Sequence, residues 1–340
     1  MPLYDPTVPA RYVAPLSKIL GGLASPVLEQ VLRAAGLESR DLQEAGAPLT
    51  MQQFDALLRA ISQLTGREDI GFELGLHITS QHHGVLFALL TRCTTLEAML
   101  QMLARYFQLI TPTFSLQYRR LAKHGEFVWR PAAPMSPFAL RAMEEIFAVT
   151  VQVQLGAALT SQKPYDVYLS IPAPAHAARY RSLAPGRFHF GHFALPEVRV
   201  ILGHSLLQTP LQWPENHALQ APAAKQLDAL QRDIPRTAHW SDWVTMMLRE
   251  AEGCQPSREQ LAELLSVSPR TLTRFLAAEG QTLRGIANTV RYQRACTLLK
   301  HSGLPITQIA HRLGYEDSSN FSHAFRAMGG VTPRAYQASR

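Results

Sequence analysis

The chain has 340 residues, 46% hydrophobic and 17% charged, an ordinary balance for a two-domain globular protein and one that excludes a largely disordered chain. Its net charge is +7, and its three cysteines, Cys93, Cys254 and Cys296, lie far apart and outside any C-x-x-C pair, which excludes a disulfide framework and implies a reducing compartment. The first thirteen residues lack the apolar core of a signal peptide, and the longest uncharged run, 146–162, is too polar to span a membrane, so a cytoplasmic protein is expected.

Residues 1–205 read as one mixed unit. Helical spacing runs over 16–37 and 51–64, with Leu49-Thr50 as a helix start, and over 95–110, where Leu96, Met99, Leu100, Leu103 and Phe107 share a face. Strands follow at 113–119 and 126–130, as a hairpin around His124-Gly125. Then come a long helix over 137–159, a strand over 166–171, and short apolar pieces near 187–190 and 198–202. That order predicts an α+β domain rather than a parallel α/β fold.

The chemistry of this half is sparse. His82-His83 and His189-x-x-His192 invite a metal, but no carboxylate or cysteine completes a ligand set at a recognisable spacing, and no metal is expected. No G-x-S-x-G elbow, Walker loop or H-E-x-x-H is present, so neither an enzyme nor a cofactor is expected. Phe87, Arg105, Tyr106 and Trp129 are candidates for an effector pocket in which an arginine holds an acidic ligand; ordinary core and surface roles account for the same four residues.

Residues 206–238 form a linker punctuated by Pro210, Pro214, Pro222 and Pro235, with a short helix expected over 223–234 on the spacing of Leu227, Leu230 and Ile234. Whether its apolar side meets its own domain or a second subunit stays open.

Residues 239–340 read as all-α. Trp240, Trp243, Val244, Met247 and Leu248 give a first helix an apolar face. A Ser257-x-x-Gln260 capping box opens the helix of Leu261, Leu264 and Leu265, and Ser268-Pro269 opens the next. That helix turns Leu272, Phe275 and Leu276 inward and Arg270, Thr271, Thr273 and Arg274 outward, with Gly280 just past its end. After a long helix over 283–301 the pattern repeats. Ile306, Ile309, Ala310 and Leu313 form one face closed by Gly314. In the helix that follows, Phe321, Phe325 and Met328 point inward while Ser319, Asn320, His323 and Arg326 point outward.

Two helix-turn-helix units in one chain put short and forked polar side chains where base edges are read. The helix between them spans somewhat under about 30 Å, close to the roughly 34 Å turn of B-DNA. Charge follows the motif. Residues 255–340 hold eleven Lys/Arg against five Asp/Glu, and residues 1–254 hold 22 against 21. Base-facing roles are therefore expected for Arg270, Thr271, Thr273, Arg274, Ser319, Asn320 and His323, and phosphate contacts for Arg284, Arg291 and Arg326.

The second unit, from Ile306-Thr307-Gln308-Ile309-Ala310 through Gly314-Tyr315, Phe321-Ser322 and Phe325-Arg326 to Gly330-Val331-Thr332-Pro333, resembles the signature of the AraC/XylS family of bacterial transcription regulators. It departs from that pattern at His323, where the family often has arginine, and at Gln337, where arginine usually follows the closing tyrosine. Residues 1–205 resemble the arabinose-binding-type effector domain of one branch of that family. The matches are Gly75-Leu76-His77, Gly84-Val85-Leu86-Phe87-Ala88-Leu89-Leu90, Thr95-Leu96-Glu97-Ala98-Met99, Ala104-Arg105-Tyr106 and Phe188-x-Phe190-Gly191. The resemblance implies a ligand-responsive transcription regulator. Its implied partners are double-stranded promoter DNA, a small-molecule effector, a second copy of the chain and RNA polymerase, and the sign of regulation, activator or repressor, stays open. An architectural DNA binder and a DNA-tethered enzyme are the competing readings. Forked groups such as Arg270 and Asn320 weigh against the first, and the missing catalytic motifs against the second.

Overall fold

Glycine and proline divide the start of the chain. The single helix expected over 16–37 is instead α1 (Leu16–Ile19) and α2 (Pro26–Ala34). Gly21 and Gly22 between them have φ of 94° and 98°, which a helix cannot contain, and Pro26 suits a first helical turn because it has no N–H to leave unpaired. The computed structural model describes residues 7–22, 25–42, 48–83, 85–107, 111, 113–159, 163–212, 240–251, 256–265 and 267–338. These fall into two compact units, Met1–Ala238 and His239–Arg340. The helix expected over 223–234 lies outside the described residues.

In the first unit a short ladder pairs β1 (Thr7–Val8) with β2 (Leu49–Thr50), and β2 leads straight into α3 (Met51–Thr65). The reciprocal Thr50/Gln53 capping box satisfies two amides that the helix start would otherwise leave unpaired. Two helices not foreseen follow, α4 (Ile70–His77) and α5 (Val85–Leu90), and then α6 (Leu96–Tyr106), capped by Thr95. α4 escapes a periodicity search because it is buried on more than one side and so has no polar face to alternate with.

The sheet has five strands in the order β3 (Phe114–Arg120), β4 (His124–Pro131), β7 (Val198–Gly203), β5 (Tyr165–Leu169) and β6 (Gly186–His189). Only the β5–β6 pair is parallel. With helices gathered beside a largely antiparallel sheet, the unit is α+β, as expected. The turn of the β3–β4 hairpin falls at 121–123, earlier than the expected His124-Gly125, and both of those residues belong to β4. Gly125 is needed for space: a Cβ there would come within 2.8 Å of the Tyr118 hydroxyl.

α7 (Pro137–Ala158), capped by Ser136, is the long helix of this unit. It crosses α4 closely because Gly71 and Gly75 lie one turn apart on α4: a Cβ on Gly75 would meet Val149 Cβ at 2.6 Å, and one on Gly71 would meet the Ala142 carbonyl at 2.8 Å. Phe127 and Trp129 alternate with Glu126, Val128 and Arg130 along β4, so one sheet face joins the apolar core while the other holds charge. There Arg130 Nε and Nη2 reach Glu197 Oε2 at 2.7 and 2.6 Å and Nη1 reaches Gln117 at 2.9 Å, which compensates the burial of both charges. A short α8 (His204–Leu207) follows β7.

In the second unit the helices are α9 (Trp240–Glu250), α10 (Arg258–Leu264), α11 (Pro269–Ala278), α12 (Leu283–His301), α13 (Ile306–Arg312), α14 (Ser318–Gly329) and α15 (Pro333–Ala338). Among the described residues of the chain no helix is long and apolar enough to cross a membrane.

Candidate nucleic-acid interface

Two exposed helices, α11 and α14, are built by the same local device. Each starts at a side chain that folds back onto its own amides. Ser268 Oγ accepts from the Thr271 N–H at 3.1 Å, and Asp317 Oδ1 accepts from the Ser319 and Asn320 N–H groups at 2.8 and 2.7 Å. Each ends at a glycine in the left-handed region, Gly280 at φ 69° and Gly330 at φ 73°. The preceding helices match them: α10 has the reciprocal Ser257/Gln260 capping box, and α13 ends at Gly314 with φ 77°.

α12 supports both helix-turn-helix pairs. Its N-terminal half buries Ile286, Ala287 and Val290, and its C-terminal half adds Ala295 and Leu299 to a core of Ile309, Ala310, Phe321 and Phe325. α9 braces the α10–α11 pair through contacts that its spacing does not reveal. The Glu279 carboxylate accepts from the Trp240 and Ser241 N–H groups, both at 2.8 Å, so a negative charge sits at the N-terminus of α9. Arg294 donates to the Ala251 carbonyl at 2.9 Å, and to that of Arg249, at the other end. The Trp240 ring stacks on Phe275 with centroids 4.3 Å apart, which fills the half-buried side of α11.

On α11, Arg270, Thr273 and Arg274 are exposed as expected, whereas Thr271 is half-buried and its hydroxyl lies 2.8 Å from Ser268 Oγ. The Thr273 hydroxyl donates to the Pro269 carbonyl at 3.0 Å, which leaves its oxygen lone pairs for other donors. On α14, Ser319, Asn320, His323 and Arg326 are all exposed. Met328, expected inward, is 46% exposed: Phe321 and Phe325 complete the apolar face a turn earlier, and Met328 falls at the helix end beyond the core.

Arg284 is exposed on α12, but Arg291 is half-buried, with its guanidinium 5.5 Å from the centre of the Tyr315 ring. Arg284, Arg291 and Thr273 nonetheless line one groove between α11 and α12, together with Arg258, Gln281 and Asn288. Three arginines over a concave surface suit a polyanion, with Arg258 paired at 3.0 Å to Glu259 of the same groove, and nothing in the sequence spacing of α10 singled out Arg258.

The four effector candidates of the first unit are not gathered on the apolar cavity of its core. Trp129 is fully buried and lines a narrow apolar cavity, but Phe87, Arg105 and Tyr106 do not line it. Arg105 is exposed and lies over the Tyr106 ring at 5.0 Å, because its place on α6 is opposite the face of Leu96, Met99, Leu100 and Leu103. Sequence reasoning missed the cavity's own polar residues, Tyr12 and His83, which are 71 positions apart in the chain and 2.8 Å apart in space.

The histidine pairs separate. His83 is buried between Tyr12 and Gln154, while His82 turns to Thr79. His189 bonds Asp166 at 2.8 Å and stacks on Tyr168, and His192 lies against the same tyrosine ring.

Residues 28–211 match the family described as the N-terminal arabinose-binding domain of AraC transcription regulators, and residues 261–339 match a helix-turn-helix domain family. The chain is 28% identical over 311 residues to an uncharacterized helix-turn-helix-type transcriptional regulator of Mycobacterium tuberculosis, a match covering 90% of this chain and 89% of the other. It is 25% identical over 307 residues to the ornithine utilization regulator of Pseudomonas aeruginosa, covering 89% and 88%. The solved structure of the transcriptional regulator CdpR from Pseudomonas aeruginosa aligns with a TM-score of 0.39 at 21% identity, over 84% of this chain and 91% of that one.

Proposed function

The chain belongs to the AraC-type transcription regulators, with an arabinose-binding-type N-terminal domain and a helix-turn-helix DNA-binding domain, and from that premise we propose that one protomer reads promoter DNA with α11 and α14 in successive major grooves. The observation that carries this reading is the pairing of two capped, exposed helices across α12. Its 19 residues span about 28 Å at about 1.5 Å per residue, near one turn of B-DNA.

In this arrangement Arg270, Thr273 and Arg274 on α11, and Ser319, Asn320 and His323 on α14, face base edges. Thr271 contributes through the first turn of α11. Arg284, Arg291 and Arg326 neutralise phosphates, Arg291 in the groove beside Arg284. The first unit binds a small molecule and modulates DNA affinity without catalysing a reaction. The regulator acts in the cytoplasm as a homodimer and engages RNA polymerase at its promoter.

A second reading, in which α11 reads bases while α14 rests mainly on phosphates, draws support from the shorter side chains of Ser319, Asn320 and His323 set against Arg270 and Arg274. Footprinting on altered operators tests both. Inserting about five base pairs between the two protected blocks turns one of them to the far side of the duplex, so specific affinity falls toward that of the better block alone. Undiminished specific affinity after that insertion overturns simultaneous base reading by α11 and α14.

A further inference from the structure

α9 begins where the chain arrives from the first unit, which ends at Ala238. The first N–H groups of any helix have no carbonyl within the helix to receive them, and here the end of α11 supplies the acceptors. Each oxygen of the Glu279 carboxylate takes one: Oε1 accepts from the Trp240 N–H and Oε2 from the Ser241 N–H, both at 2.8 Å. Glu279 is itself set on a fixed turn. The Gly280 N–H donates to the Ala277 carbonyl at 3.0 Å and the Gln281 N–H to the Leu276 carbonyl at 2.9 Å, which closes α11 just beyond Glu279.

A second contact lies on the flank of α11. The Trp240 ring stacks on Phe275 with centroids 4.3 Å apart and planes 15° from parallel. The guanidinium carbon of Arg274 lies 5.8 Å from the centre of the same Phe275 ring. One residue, Trp240, is therefore fastened to α11 twice, by its backbone at the helix end and by its ring beside Arg274. A helix held at its end and on its flank cannot turn about its axis without breaking one of the two contacts. Arg270 lies one turn before Arg274, so the same restraint sets the direction of both. Forked side chains that read a base edge need placing to within about 0.5 Å and about 10–20°, whereas a brace that only keeps a helix folded tolerates more.

We propose that Glu279 and Trp240 are positioning residues for base reading by α11: they fix its end and flank, and so the direction of Arg270 and Arg274, without touching DNA themselves. This deepens the proposed function and rests on its assignment of α11 as a base reader.

The test uses the full chain and a duplex that it selects from a random-sequence pool, with affinity measured on every single-base variant of that duplex. Arg270→Ala and Arg274→Ala mark the base pairs read by α11. Glu279→Gln keeps the shape of the side chain but loses the charge, and its single oxygen serves one of the two N–H groups. It is expected to lower discrimination at the marked base pairs about tenfold, to leave the other base pairs within about twofold, and to leave the slope of log affinity against log salt unchanged. Trp240→Ala should act at the same base pairs, and Trp240→Phe, which keeps a ring for Phe275, should restore most of the lost discrimination. If Trp240→Ala does not fold, Glu279→Gln decides alone.

A purely structural brace predicts a lower melting temperature with base preference preserved throughout, or an equal loss at every base pair, and either result overturns the proposal. If Arg270→Ala and Arg274→Ala mark base pairs that Glu279→Gln leaves intact, the positioning role falls and α11 remains a reader. If those two variants change no base preference, α11 is not a reader, and the positioning role falls with that assignment.

Discussion

Asn320 donates its side-chain amide to Asp317 Oδ2 at 2.8 Å, while Asp317 Oδ1 caps the helix that carries Asn320. An amide nitrogen has two hydrogens, so this bond holds the rotamer and leaves one hydrogen and the amide oxygen for a base such as adenine, which is read at N6 and N7. Asn320→Ala should therefore cost about 1–3 kcal/mol of specific binding and relax preference at one base pair. Asp317→Ala should relax preference at the same base pair and also lower stability by about 0.5–2 kcal/mol through loss of the cap. Binding measured on every single-base operator variant, beside thermal melts, checks both; equal losses of Asn320→Ala on operator and random DNA would remove it as a base reader.

Two arginines of α12 should separate by salt dependence. Arg284 is exposed in the groove, so Arg284→Ala should weaken binding to all sequences and lower the slope of log affinity against log salt by about one. Arg294 instead donates to the carbonyls that end α9, so Arg294→Ala should leave that slope unchanged and lower the melting temperature. Titrations at three or more salt concentrations distinguish the two.

Stability of the first unit should fall in acid partly through His83. Burial holds its imidazole down at about 4, while the unfolded chain takes up a proton near 6.5. Between those values the unfolded state binds the extra proton, so stability is fully present above about pH 6.5 and is lost as pH drops toward about 4, by up to about 3 kcal/mol. Glu145 works in the opposite sense: burial raises its carboxyl, so its contribution is present at low pH and is lost as pH rises. His83→Gln should flatten the acid-side slope, read from denaturant midpoints across pH 4 to 7, whatever its effect at pH 7. An unchanged slope would show that His83 titrates as it does in the unfolded chain.

Gly75→Ala should lower the stability of the first unit by about 1–3 kcal/mol, because the new Cβ meets Val149 Cβ at 2.6 Å and the Ile146 carbonyl at 3.0 Å. Adding Val149→Ala should not restore it, since the atom in the way is the Cβ that alanine keeps. Thermal melts of the single and double variants test this.

The second unit was largely legible in the sequence because its determinants are local. Capping boxes, a proline at N1 and glycines with positive φ act within four residues, and Leu272, Leu276, Phe321 and Phe325 recur at the helical period, so order along the chain determines which faces turn outward. What escaped were two contacts across long separations, Glu279 at the start of α9 and Arg294 at its end, and one across three residues, Asp317 reaching the one side chain of α14 most suited to a base. In the first unit, strand alternation and the Thr50 cap indicated the fold class, but α4 remained hidden because burial on several sides erases the periodicity that marks a surface helix. The cavity lay further out of reach. Its lining joins Tyr12, His83, Trp129 and Thr150 from four separate segments, and the space between them is decided only when those segments pack together.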